Sequence, residues 1–199
     1  YSTDFEGDNT AWTLGAGSSG PGNWAVSTAR PHGGSNAFLA QDYAALSDQR
    51  LISPAITLPT GQDPLALIFW NDQTMESQSS TACYDGSILE ISTDSGATFT
   101  QVAGAALLTQ PYKGPISSSF QNPLSGLQGW CGDPVAYFRS VVDLTAYAGQ
   151  TVQFRFRLGS DSSVGRTPHG WYIDDVTVQS CIAGGNDIIF QDGFDPPSQ

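Results

Sequence analysis

Thr151-Val-Gln-Phe-Arg-Phe-Arg-Leu158 decides the fold class. Apolar and polar residues alternate strictly along it, so Val152, Phe154, Phe156 and Leu158 fall on one face of a strand. Gln153, Arg155 and Arg157 fall on the other. One face of this strand must meet a core while the other meets water.

Working outward, the same signal recurs. Ser87-Ile-Leu-Glu-Ile-Ser92 alternates, and Leu65-Ala-Leu-Ile-Phe-Trp70 reads as a buried strand. Trp171-Tyr-Ile-Asp-Asp-Val-Thr-Val178 is another strand, and shorter ones are expected between Trp24 and Leu39. Trp70 and Trp171 lie in these apolar runs and are assigned to the core. Asp94-Ser-Gly96 joins Ile91 to Phe99 as a hairpin, and Asp143 to Gly149 forms a compact turn before the Thr151 strand. The stretch from Leu107 to Ser140 carries Pro111, Pro115, Pro123 and Pro134 and reads as an elaborate loop. Helical periodicity is almost absent, because Pro54 breaks Leu46 to Leu58 and Ala103 to Leu108 is short. No fixed-period repeat is evident, which argues against a solenoid or propeller.

Composition agrees. The 199 residues include 22 Gly and 12 Pro but only 13% charged residues, as in a turn-rich β protein. Nineteen acidic residues face seven basic ones, for a formal net charge of −12. Such a surface repels phosphate backbones and anionic membranes, so no nucleic-acid partner is expected. Clustered carboxylates suit a hard cation such as calcium, and serve solubility equally well. No apolar run approaches the ~18 residues of a membrane-spanning helix. The chain begins at Tyr1 with no visible targeting segment, as expected of a mature chain from which that segment has been removed.

Three cysteines are present, Cys83, Cys131 and Cys181, without metal-ligand spacing. Cys83 and Cys131 sit in turn-rich Cys-Tyr-Asp-Gly and Trp-Cys-Gly-Asp, and we read them as a disulfide formed in an oxidising compartment. The Leu107–Ser140 loop is then tied down by Cys131. Cys181 is left over.

Six segments occur in a telling order. They are Asp4-Phe-Glu-Gly7, Asp48-Gln-Arg-Leu-Ile-Ser-Pro-Ala-Ile56 leading to Leu67-Ile-Phe-Trp70, Tyr84-Asp-Gly-Ser-Ile-Leu-Glu-Ile-Ser-Thr-Asp-Ser-Gly96, Val142 to Gly149, Phe154-Arg-Phe-Arg157 and Gly170-Trp-Tyr-Ile-Asp-Asp-Val176. In this order the chain resembles the MAM-like jelly rolls of bacterial exported proteins, a group that includes the cleaved-adhesin modules of surface proteases and the "choice-of-anchor" domains. The resemblance covers roughly residues 4–181. It implies an all-β, two-sheet antiparallel jelly-roll β-sandwich, often holding calcium, on a secreted or cell-surface protein beside a protease, adhesin or other exported enzyme. It does not imply one ligand. Residues 1–181 are taken as this domain. Residues 182–199 are taken as a linker and tail with an Ile189-Phe-Gln-Asp-Gly-Phe-Asp195 motif, read as a hairpin or added edge strand ahead of a sorting role.

Catalytic signals are weak. His32 and His169 both lie in turns, and no Gly-x-Ser-x-Gly elbow appears. No enzymatic activity is therefore expected, although paired carboxylates are assembled only in space. Ser92-Thr-Asp-Ser-Gly-Ala-Thr-Phe99 resembles the Asp-box of sialidase propellers, whose Asp holds a turn, so Asp94 is assigned a structural role.

Calcium is the sharpest expectation. In jelly rolls of this kind an acid on the first strand meets one on the last, which points to Glu6 with Asp174 or Asp175, and to Asn36 completing the shell. Strand alternation lets only one of the two aspartates face inward, and that one requires a cation or several N–H donors. The alternative is that Asp174 and Asp175 cap turns and pair with Arg155 or Arg157, which should point to solvent. A second acidic group, Asp72, Glu76 and Asp85 with Asp161, reads as a solvated loop cluster. Trp12, Trp24 and Trp130 lie among Gly, Ser and Pro, so an exposed sugar-binding platform is the competing reading. The expected partners are a protein or glycan surface, or the neighbouring domains of a parent protein.

Overall fold

The computed structural model describes residues 1–134 and 136–180. The strands along the first half are β1 (Ser2–Thr3), β2 (Thr13–Leu14), β3 (Ala25–Ser27), β4 (Ala37–Gln41), β5 (Ser47–Ile52), β6 (Ile56–Thr57), β7 (Leu65–Gln73), β8 (Ser77–Ser79) and β9 (Ala82–Cys83). They continue with β10 (Gly86–Ser92), β11 (Thr100–Gln101), β12 (Gly114–Pro115), β13 (Gln128–Gly129), β14 (Phe138–Asp143), β15 (Thr151–Ser160) and β16 (Gly170–Ser180). Two single-turn 3₁₀ segments, Gly104–Ala106 and Thr145–Tyr147, are the helical content of the described residues.

The strands form two six-stranded antiparallel sheets. The first runs β14-β7-β16-β4-β3, with β1 also pairing β16; the second runs β11-β10-β15-β5-β2, with β6 also pairing β15. This is the all-β jelly-roll sandwich that the ordered motifs imply. Val152, Phe154, Phe156 and Leu158 are all buried on the inner face of β15. Phe156 meets Phe69 of β7 at 5.2 Å edge-on and Trp171 of β16 at 5.7 Å, so aromatic rings from both sheets interlock at the centre.

The outer face of the second sheet differs from the expectation of solvated arginines. Arg157 donates from Nε to Asp48 at 2.7 Å, and Arg155 donates to Glu90 across the β15–β10 pair. Arg50 completes the row through Asp48 at 2.6 Å. Asp48 and Glu90 are nearly covered by these arginines. Neither Arg155 nor Arg157 pairs with Asp174 or Asp175, so the arginine part of that alternative does not hold.

β16 departs from simple alternation. Its register against β7 shifts between Asp174 and Thr177, and Asp175 adopts a positive φ of 47°. A bulge adds one residue and flips the parity of the strand. Trp171 and Ile173 face the core before it, and Val176 and Val178 face the core after it. The turn at 92–98 follows the Asp-box reading: Thr98 donates to Asp94 from both its N–H (2.9 Å) and its hydroxyl (2.6 Å).

Cys83 and Cys131 form a disulfide with Cα atoms 5.8 Å apart. It pins the 107–140 connection, which also carries the small β12–β13 ribbon, against the second sheet. Cys181 and the 189–195 motif lie outside the described residues. No helix of the described residues is long and apolar enough to cross a membrane.

Candidate metal centre

β1 pairs with β16 (Thr3↔Val176), so the first and last strands lie side by side as expected. Phe5, at a positive φ of 58°, buries its ring in the core and leaves Glu6 outside it. Glu6 then reaches the loop at residues 32–36. Its Oε1 accepts the N–H groups of Ser35 and Asn36 at 2.7 Å, and its Oε2 accepts the Asn36 side-chain amide at 3.0 Å. Asp174 reaches the same loop from the other side. Its Oδ2 accepts the N–H groups of His32 (2.9 Å) and Gly33 (3.2 Å), and its Oδ1 accepts that of Asp175 (2.8 Å). Asp175 Oδ2 lies 2.6 Å from His32 Nδ1.

The four residues named from sequence are thus gathered on one loop. The buried member of the pair is Asp174, on the face of β16 opposite Trp171 and Ile173 and covered by the 32–36 loop, while Asp175 is partly exposed. A buried carboxylate needs a cation or several N–H donors, and three N–H donors stand around Asp174. Burial pushes its pKa up, and the donors from Asp175, Gly33 and His32 oppose that rise.

The second acidic group is where structure and sequence part. It is buried, not solvated. Asp85 and Asp161 are 0% and 2% exposed, and the gathered ligand oxygens of Glu76, Asp85 and Asp161 all lie within 4.8 Å of one another. Among the described residues this is the one group of three acid, His or Cys side chains so gathered. Asp72 does not join it; Arg30 holds Asp72 at 2.6 Å instead. Asp42, also 0% exposed, takes the fourth place beside Asp85.

The fold explains the meeting. Asp42 follows β4, Glu76 follows β7, Asp85 precedes β10 and Asp161 follows β15. Gly86 pairs with Gly159, which sets Asp85 and Asp161 at the same end of adjacent strands. Each aspartate has one oxygen tied down: Asp42 Oδ1 by the Ser160 hydroxyl (3.0 Å), Asp85 Oδ1 by the Asp161 N–H (2.6 Å), and Asp161 Oδ1 by the Ser163 N–H (2.7 Å) and hydroxyl. The second oxygen of each, and Glu76 Oε2, is buried without a hydrogen-bond partner. Burial raises the pKa of Asp42 and Asp85, and the charge of Asp42 raises Asp85 further. Burial also raises Glu76, helped by the charge of Asp161.

Sequence reasoning missed Asp42, which stands alone in Gln41-Asp-Tyr43. No local spacing marks it; the strand order alone brings it to the group. The candidate sugar platform is also corrected. Trp12, Trp24 and Trp130 are 7%, 3% and 3% exposed, packed into the aromatic core. Trp70, assigned to the core, is only partly buried and carries His32 stacked on its ring at 4.0 Å.

The class of protein is thus a jelly-roll sandwich with one buried acidic group gathered at its strand ends. Against known proteins, no family model matches the chain. It is 30% identical over 196 residues to Bacillopeptidase F of Bacillus subtilis (strain 168), a match covering 92% of this chain. The chain spans 11% of the length of that relative. Among solved structures, it shares its fold with the K1 cleaved adhesin domain of Lys-gingipain from Porphyromonas gingivalis W83, with a TM-score of 0.50 and 16% identity. That likeness covers 91% of this chain and 98% of the other. The Endo-D glycoside hydrolase domain from Streptococcus pneumoniae R6 shows a likeness with a TM-score of 0.51 and 13% identity, over 84% of this chain and 21% of that one.

Proposed function

We propose that this chain is a non-catalytic accessory module of a larger exported protein, of the MAM-like, cleaved-adhesin-like kind. It sits beside a protease or adhesin and works by binding a protein or glycan surface, or by supporting neighbouring domains. The observation that carries the reading is the match to Bacillopeptidase F, which takes in 92% of this chain but only 11% of that protein. A segment of that proportion is one module among several. The Cys83–Cys131 disulfide supports an oxidising, extracellular setting. The competing sugar-binding reading loses its main support, since the three tryptophans that would form a platform are turned inward.

A structural calcium at Glu6, Asn36, Asp174 and Asp175 belongs to the same reading. What supports it is that Glu6 and Asp175 stay partly open to solvent and each contacts the 32–36 loop, Glu6 through Ser35 and Asn36 and Asp175 through His32. Glu6→Gln is expected to lower the calcium bound per chain. The module reading is tested by assaying the purified chain against peptide and glycoside substrates. No turnover is expected. Robust turnover abolished by a single substitution would overturn it.

A further inference from the structure

We propose that Asp42, Glu76, Asp85 and Asp161 form a calcium site that clamps the two sheets together at one end of the sandwich. This site is separate from the Glu6 loop and does not depend on it.

The argument begins with the unpartnered oxygens. Asp42, Asp85 and Asp161 are each at least 98% buried, yet each leaves one carboxylate oxygen without a hydrogen-bond partner, as does Glu76. The other oxygen of each aspartate is held by a hydroxyl or N–H donor, which fixes the carboxylate plane. Three aspartates held in this way, with Glu76 beside them, are a set of oxygen ligands in need of a cation. Asp42 stands beside Asp85 and Glu76 beside Asp161, so like charges face one another in one buried place. A basic side chain does not answer the need. Arg166 is near enough to act on Glu76, yet among the described residues it makes no ion pair within 4 Å.

The donors also select the ion. All are oxygens, which excludes a preference for softer metals that favour Cys or His. The ligand oxygens of Glu76, Asp85 and Asp161 lie within 4.8 Å of one another and can share one ion with Ca–O distances of about 2.3–2.6 Å, since opposite ligands of calcium then lie up to about 5 Å apart; Asp42 adjoins Asp85 and is the fourth carboxylate in reach. Magnesium retains several waters and fits a dry, protein-built set less well. The ligands come from the ends of β4 and β7 in the first sheet and of β10 and β15 in the second. An ion here therefore ties four strand ends, two from each sheet, beside the Cys83 bridge.

The test uses the purified chain, stripped with a chelator and exchanged into metal-free buffer. Calcium is titrated by calorimetry, and terbium is used as a luminescent probe, with Tyr84 adjoining Asp85 as a sensitiser. Wild type is expected to bind calcium with a rise in Tm, and calcium should quench the terbium signal by displacement. Asp85→Asn and Glu76→Gln should each weaken this site at least tenfold, while Glu6→Gln should leave it intact. Glu76 is the least buried ligand, so its variant keeps the test valid where Asp85→Asn fails to fold. Unchanged calcium affinity and stoichiometry in a Glu76→Gln chain with native near-ultraviolet dichroism would overturn the proposal. So would a calcium response that vanishes in Glu6→Gln alone.

Discussion

Removing the Cys83–Cys131 bridge is expected to lower the stability of the folded chain by about 4 kcal/mol. The two cysteines are 48 residues apart in sequence. In the chain-entropy account, closing such a loop removes about 2.1 + 1.5R ln 48, or roughly 14 cal/mol/K, from the unfolded ensemble, which is ~4 kcal/mol at 25 °C. The folded loop keeps its other anchors. Trp130 exchanges backbone hydrogen bonds with Ser87 at 3.0 Å, Ser117 donates to the Cys83 carbonyl at 2.8 Å, and Asn122 donates to the carbonyls of Tyr84 and Gly159. The loss therefore falls on the unfolded state, and the native contacts should survive. Both sulfurs are buried, so alanine is the right replacement; serine would bury two new hydroxyls. The Cys83→Ala/Cys131→Ala chain is unfolded in guanidinium and followed by tryptophan fluorescence. For a chain of this size about 4 kcal/mol corresponds to a fall in Tm of roughly 8–16 °C. The slope m should rise, because an uncrosslinked unfolded chain exposes more surface. A loss below about 1 kcal/mol would refute the entropic reasoning. Loss of the near-ultraviolet dichroism at 25 °C would show instead that the bridge holds native contacts.

Phe156→Ala empties a fully buried position in contact with Trp12, Phe69 and Trp171, and should cost about 3–5 kcal/mol in calorimetric unfolding; a cost under 1 kcal/mol would contradict the packing described. The Asp94 carboxyl is pushed down to about 2 by the Thr98 hydroxyl and N–H, with Ser92 adding to the effect. Its pKa is depressed on folding, so its contribution to stability is present above the unfolded value near 4 and is lost as pH falls through about 2. A carboxyl titration by NMR that placed Asp94 near 4 would show that the turn does not hold it.

Much of the fold was legible from local pattern. The alternation of Val152 to Leu158 declared which side chains face inward, because a strand's period of two is set by its backbone. The Asp94 turn was equally legible, since all of its donors lie within four residues. The pairing of Cys83 with Cys131 followed from their turn-rich surroundings. That β1 would lie beside β16, bringing Glu6 and Asp174 to one loop, was implied by the resemblance and its motif order. Other features had no local signature. The bulge at Asp174–Asp175 flips the parity of β16, and both aspartates look like ordinary strand residues in sequence. Trp12, Trp24 and Trp130 sit among turn residues, yet two facing sheets offer enough apolar volume to enclose them. The second acidic group shows the limit most plainly. Asp85 and Asp161 are 76 residues apart, and Asp42 is 118 residues from Ser160, its hydroxyl partner. The sequence alone determined that the chain would fold as a sandwich and which strand faces are inside. Only the tertiary structure decided that four acids would share one dry place, because the ends of separate strands become neighbours only when the register of both sheets is set.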